Sequence, residues 1–165
     1  MQLVKDLLRT GVGPGRVEWL GIASSRRAEM TAMTQVELVV GEGIVGEHHR
    51  RKAGVSRRQV TLIQHEHLSV VASLLKREAV LAAELRRNVV VSGINLAAVK
   101  KLVIQVGTSV LEVTGNCPPC SRMEENLGSG GYAAMIGHGG ITAIVLESGF
   151  ICLGDEVRVH ERTFD

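Results

Sequence analysis

Aromatic side chains are nearly missing from this sequence, with one Trp, one Tyr and two Phe in 165 residues. That removes the ring platforms on which proteins stack single-stranded bases. Neither sign of charge dominates: 19 basic and 17 acidic side chains leave a formal net charge of +2. A general nucleic-acid binder carries a clear basic excess, so no nucleic-acid partner is expected. No apolar run is long enough to span a bilayer, so no membrane partner is expected either. Residues 1–10 hold two basic residues but no long apolar block with a small-residue cleavage site, and the reading is of no secretory signal. Three cysteines are an odd number and a poor basis for a disulfide framework. Together these absences place the chain in the reducing cytoplasm, where thiols serve chemistry more often than structure.

What is present is ordinary for a folded domain: 45% hydrophobic and 22% charged residues. The core must be aliphatic. A chain of 165 residues suits one domain that needs no metal or disulfide staple. Residues 1–15 read as an N-terminal arm, with Leu3, Leu7 and Leu8 on one short amphipathic turn that the glycines and proline of 11–15 break. Residues 161–165 read as a tail.

Between them the pattern is mainly β. Strands are expected over 17–23 and over 34–40, where Val36, Leu38 and Val40 share a face. The polar, basic segment 46–58 reads as an exposed loop. A short strand over 59–64 leads into a helix over 66–77, with Leu68, Val71, Ala72 and Leu75 on one side. A second helix is expected at 81–85 and a strand at 89–92. Residues 102–106 and 110–114 form a hairpin about Gly107-Thr108. Ser121 is placed as a helix cap with Glu124 completing a capping box. Closing strands fall at 141–146, 150–153 and 157–160. Many short strands and few helices predict a closed or nearly closed barrel.

The most informative stretch is Gly115-Asn116-Cys117-Pro118-Pro119-Cys120-Ser121-Arg122. A thiol is a nucleophile or soft-metal ligand as its thiolate, which a nearby cation or helix start favours. Cys120 stands just ahead of an expected helix, with Arg122 beside it. Four readings compete: two inert buried cysteines, a thioredoxin-like pair out of its usual context, half of a zinc site lacking its other ligands, and a reactive or metal-binding thiol. Cys152, between Ile151 and Leu153, reads as a core residue.

Arg86-Arg87-Asn88 before the strand at 89 offers an arginine fork for phosphate or carboxylate, with Asn88 and Asn95 to orient a polar ligand; the competing reading is a solvated helix end. Gly137-His138-Gly139-Gly140 is a loop able to approach a ligand closely, His138 its proton carrier, or else a plain turn. Together with 128–131 it is read as a lid. His48, His49, His65 and His67 form no His-Glu-x-x-His helix pattern and are assigned structural or surface roles.

The block from Arg86 through Leu96 resembles the central motif of MOSC domains. So does the run from Leu111 to Gly115 continuing through Cys117-Pro118-Pro119-Cys120. Segments 43–48, 58–63 and 137–157 fit in the same order, and the match covers 16–160. The resemblance implies a MOSC-type β-barrel, mainly β with a few helices, of the standalone bacterial type. It implies that Cys120 carries sulfane sulfur as a persulfide or ligates molybdenum, with Cys117 as a resolving thiol. Arg86, Arg87, Asn88, Asn95, Arg122 and His138 are then the residues expected to bind molybdenum cofactor (molybdopterin). No pyridoxal phosphate is expected. Partners would be a sulfur donor such as a cysteine desulfurase, or an electron-donor protein if the chain reduces N-hydroxylated compounds; a vestigial interaction module is the remaining reading. The family places Asp after the glycine where this chain has Gly46-Glu47, a carboxylate one methylene longer.

Overall fold

A computed structural model describes residues 3–8, 10, 12–51 and 56–161. Parts of the expected arm, the middle of the 46–58 loop and all but one residue of the expected tail lie outside these. In chain order the elements are α1 (Val4–Leu7), β1 (Gly15–Ile22), β2 (Thr31–Met33), β3 (Gln35–Val39), β4 (Gly43–Ile44), β5 (Val60–Gln64), α2 (His65–Leu74), α3 (Ala82–Leu85), β6 (Val89–Ser92), a 3-10 turn (Leu96–Val99), β7 (Val103–Val106), β8 (Ser109–Asn116), α4 (Ser121–Leu127), α5 (Gly131–Met135), β9 (Ile141–Glu147), β10 (Gly149–Cys152) and β11 (Glu156–Val159).

Seven strands close into a barrel in the order β11-β7-β8-β9-β5-β6-β1, and β1 pairs back to β11. The seam is short: Gly15 opposite Val157 and Arg16 opposite Glu156. β2 extends the far end of β1, and β3 forms a small second sheet with β4 and β10. Every barrel pairing is antiparallel except β5 with β6. A parallel pair needs a crossover, and α2 and α3 supply it. β5 is buried throughout and β6 over Val89, Val90 and Val91, so neither alternates between buried and exposed residues. Leu62, Val89 and Val91 point into the barrel with Leu20, Leu38, Ile104 and Leu111. Ile63 and Val90 point outward onto Val71, Leu85, Met123 and Met135 of the helices. The core is aliphatic, as the composition requires.

Five sequence expectations are corrected. Val40 lies past the end of β3 and is exposed. The segment after β4 is not wholly a surface loop, because Glu47 is buried. Cys120 caps α4, not Ser121; Glu124 reaches forward instead and accepts from the N–H groups of Gly130 and Tyr132, which also holds its carboxyl below the usual range. The expected lid is a packed helix, α5, with Met135 fully buried. Cys152 is half-buried at an edge of the small sheet, not in the core. No helix among the described residues is long and apolar enough to cross a membrane.

Candidate functional site

Three chain segments converge at one end of the barrel: 86–88 entering β6, 117–120 leaving β8, and 47–49 following β4. The two prolines at 118 and 119 keep the chain extended after β8, so the helix starts only after Cys120, whose backbone is itself extended. That leaves Cys120 exposed and Cys117 buried; both thiols are free.

Arg87 holds this segment in place. It is 2% exposed, and its guanidinium donates to three backbone carbonyls: Nε to Gly139 at 2.8 Å, Nη1 to Leu85 at 3.0 Å and Nη2 to Cys117 at 3.3 Å. The Cys117 N–H donates to the Gly140 carbonyl at 2.9 Å, which locks the loop from the other side. Burial lowers the Arg87 pKa, Cys117 raises it, Arg58 lowers it and Cys120 raises it. The Cys120 sulfur thus lies within electrostatic reach of Arg87. It is also within reach of Arg86, whose pKa is lowered by burial and by Arg122 and raised by Glu47 and Cys120. Arg86 donates to the carbonyls of Ala28 at 2.6 Å and Arg26 at 3.2 Å, and Arg122 donates to the same Arg26 carbonyl at 3.1 Å. Two cations therefore meet over the β1–β2 connection, next to the exposed thiol.

Behind them sits a buried carboxylate. Glu47 Oε2 accepts from the Ala23 N–H at 2.9 Å and from Asn88 Nδ2 at 3.0 Å. Its Oε1 lies 2.6 Å from His48 Nδ1 and 3.1 Å from His49 Nδ1. His48 Nδ1 faces only acceptors, this carboxylate and the Ala23 carbonyl at 3.2 Å, so Nδ1 carries its proton. Burial works to raise the Glu47 pKa, but the hydrogen bonds from His49 and Ala23 and the charges of both histidines hold it below the usual carboxylate range. Burial and His49 push His48 down, against the pull of Glu47. The ligand-capable atoms of Glu47, His48 and His49 fall within 4.8 Å of one another.

Several expected site residues occupy other roles. Asn88 spends its side chain internally: Oδ1 accepts from the Thr61 N–H and hydroxyl, and Nδ2 donates to Gly21 and Glu47. Nothing remains on it to orient a ligand. Arg87 likewise faces carbonyls, not solvent. Asn95 caps the 3-10 turn at the opposite end of β6, its Oδ1 accepting from the Ala97 N–H; four strand residues at ~3.3 Å each part it from Cys120's segment. His138 stacks edge-on against His67, ring centroids 4.9 Å apart, with its Nδ1 buried and unbonded. The glycines beside it approach protein, not ligand: a Cβ on Gly139 would run into the Cys117 carbonyl, and one on Gly140 into the Leu62 carbonyl. Cys120, Arg86 and Arg122 are brought together.

Sequence reasoning missed two features. The Glu47–His48–His49 cluster was visible as adjacent residues, but its anchor, Asn88, lies 41 positions away. Arg58 was also passed over: its Nε is buried without a hydrogen-bond partner, and its charge opposes that of Arg87. A buried donor with no acceptor, beside a second cation, suits an anion. The residues present therefore fit an anionic cofactor with a soft-metal ligand position.

Against known proteins, the MOSC domain family model matches residues 49–158. No curated protein matches the chain. Among solved structures, the YuaD protein from Bacillus subtilis superposes with a TM-score of 0.78 at 24% identity, covering 92% of this chain and 98% of that one. YiiM from Geobacillus stearothermophilus gives 0.73 at 17% identity, covering 90% and 76%. YiiM from Escherichia coli gives 0.68 at 16%, covering 91% and 72%. These likenesses establish a shared fold, and with the family match over most of its length the chain belongs to the MOSC domain family.

Proposed function

We propose that this protein binds molybdenum cofactor through its anionic groups and offers Cys120 as the metal ligand. The observation that carries this reading is an accessible thiol within electrostatic reach of two guanidiniums, Arg86 and Arg87. A thiol binds soft metals as its thiolate. Arg58, with its unpartnered Nε, and Arg86 with Arg122 are the residues that would hold phosphate and other anionic groups. Arg87 acts by position: it fixes the Cys117 carbonyl and so the path of the chain to Cys120. When bound, the cofactor would supply redox chemistry at molybdenum. Three free cysteines fit a reducing compartment, and the cytoplasm is the location we propose.

The exposure of Cys120 also favours a second reading, sulfur carriage. Its thiolate would attack the outer sulfur of a donor persulfide held by a separate cysteine desulfurase; the donor's S–S bond breaks and the donor leaves as a thiolate. Cys117, buried and bonded through both backbone groups, is poorly placed to resolve that persulfide.

Expression in a host that makes the cofactor, followed by molybdenum analysis and fluorescence of the oxidised pterin, tests the first reading. Stoichiometric metal in wild type, lost in Cys120→Ala and reduced in Arg58→Ala, is expected. Protein that emerges from such a host without molybdenum would refute it. For the second reading, intact-mass analysis after incubation with a desulfurase and cysteine must show one added sulfur on Cys120.

A further inference from the structure

A cavity of about 310 Å³ opens beside the 117–119 segment, and Cys120 is not among its lining residues. We propose that it binds a small organic carboxylate, an apolar body with one acidic head. Its walls are mostly apolar, with Leu96, Met135, Ile141 and Pro118 prominent. An apolar cavity of roughly 150 Å³ accepts a benzene ring, so this one has room for a ring and a short arm.

The polar groups decide the head. None of the described lining residues is Asp or Glu, and the one formal charge is the ammonium of Lys100, which is exposed. Gln64 is buried, and its Oε1 is taken by the Leu96 N–H at 2.9 Å, so its NH2 is the group it can offer. His67 meets the cavity as an imidazole braced by the ring of His138. An apolar ligand filling the space would strip water from these donors and leave them unpaired, which is unfavourable. A carboxylate head accepts from them and pairs with Lys100. A phosphate would sacrifice the apolar walls and find a single cation.

The test is titration of 15N-labelled protein with 3-phenylpropanoate and, separately, its neutral amide, following the backbone signals of Ala97, Gly137 and Gly139. The acid should shift all three and bind more tightly than the amide. Lys100→Ala should weaken the acid about five-fold, the upper range for a solvent-facing ion pair, and leave the amide within two-fold. Ala97 is exposed, so Ala97→Phe should keep the fold while its ring blocks both ligands. Three results would each overturn the proposal: no shift in wild type at about 10 mM ligand, well above millimolar affinity; equal binding of acid and amide; or undiminished binding of the acid to either variant. The titration contains neither molybdenum nor a sulfur donor, so its outcome is independent of the role assigned to Cys120.

Discussion

Replacing Glu47 by Gln keeps the shape and removes the charge, and the structure sets the cost. The carboxylate accepts three hydrogen bonds, from Ala23 and Asn88 on Oε2 and from His49 on Oε1, and Oε1 also faces His48 Nδ1 at 2.6 Å. Gln has one oxygen; whichever way its amide turns, an NH2 confronts two donors. With its oxygen in the Oε2 place, Gln loses the bond from His49, and losing one hydrogen bond to a charged group costs about 1.5–3 kcal/mol. With a urea m-value near 2 kcal/mol/M, the midpoint should fall by about 0.75–1.5 M. Against a typical total stability of roughly 5–15 kcal/mol, this is a large change that still leaves a measurable native state. The pH dependence gives a second reading. The folded pKa of Glu47 lies below its ordinary value, so its contribution is present above that value and is lost as pH falls through the folded pKa. Glu47→Gln should therefore flatten the stability profile in the acid range below about pH 4.5. Urea unfolding at several pH values measures both effects. A midpoint within about 0.25 M of wild type, below 1 kcal/mol at that slope, would show that the carboxylate is not the keystone described.

Iodoacetamide should label Cys120 in the native protein and Cys117 only after denaturation, as peptide mass spectrometry can show; rapid native labelling of Cys117 would contradict its burial. Cys120→Ser should change stability by less than about 0.5 kcal/mol, as expected for an exposed side chain. Arg87→Ala should cost about 3 kcal/mol or more by leaving three carbonyls unpaired at about 1–3 kcal/mol each, and Arg87→Lys should recover part of that, both read by chemical denaturation. The folded pKa values of His48 and His67 lie below the ordinary value, His48 through burial and then His49, His67 through burial and then His138. The native state thus holds fewer protons than the unfolded chain, and the melting temperature should fall as pH drops through about 6.5. Gly140→Ala should destabilise by more than about 1 kcal/mol, since φ is +85° and the new Cβ meets the Leu62 carbonyl.

The strands that alternate or run apolar, such as β5, β6 and β8, could be read from local pattern because burial imposes that pattern. β4, with two residues, and β2, with three, are too short to carry a period. α5 was hidden by the glycines around it, which signal a mobile loop by composition while here they permit close packing. The helix after Cys120 was legible, but a buried and an accessible thiol stood open as readings there; the structure leaves this thiol exposed at the start of that helix. The inward turn of Arg87 and Asn88 was not legible, since their partners are Thr61 on the neighbouring β5 and residues 47, 117 and 139 in connections between elements, which meet only in the closed barrel.

That closure has a kinetic consequence. The seam joins Gly15–Arg16 to Glu156–Val157 through two register pairs, so nearly the whole intervening polypeptide must be organised before the ring can shut. Ordering a loop of that length is paid for ahead of any contact it yields, which makes this junction a late event in folding and slows the fold as a whole. A nascent chain on the ribosome would hold an open, curling sheet with bare edges until its final strand emerges.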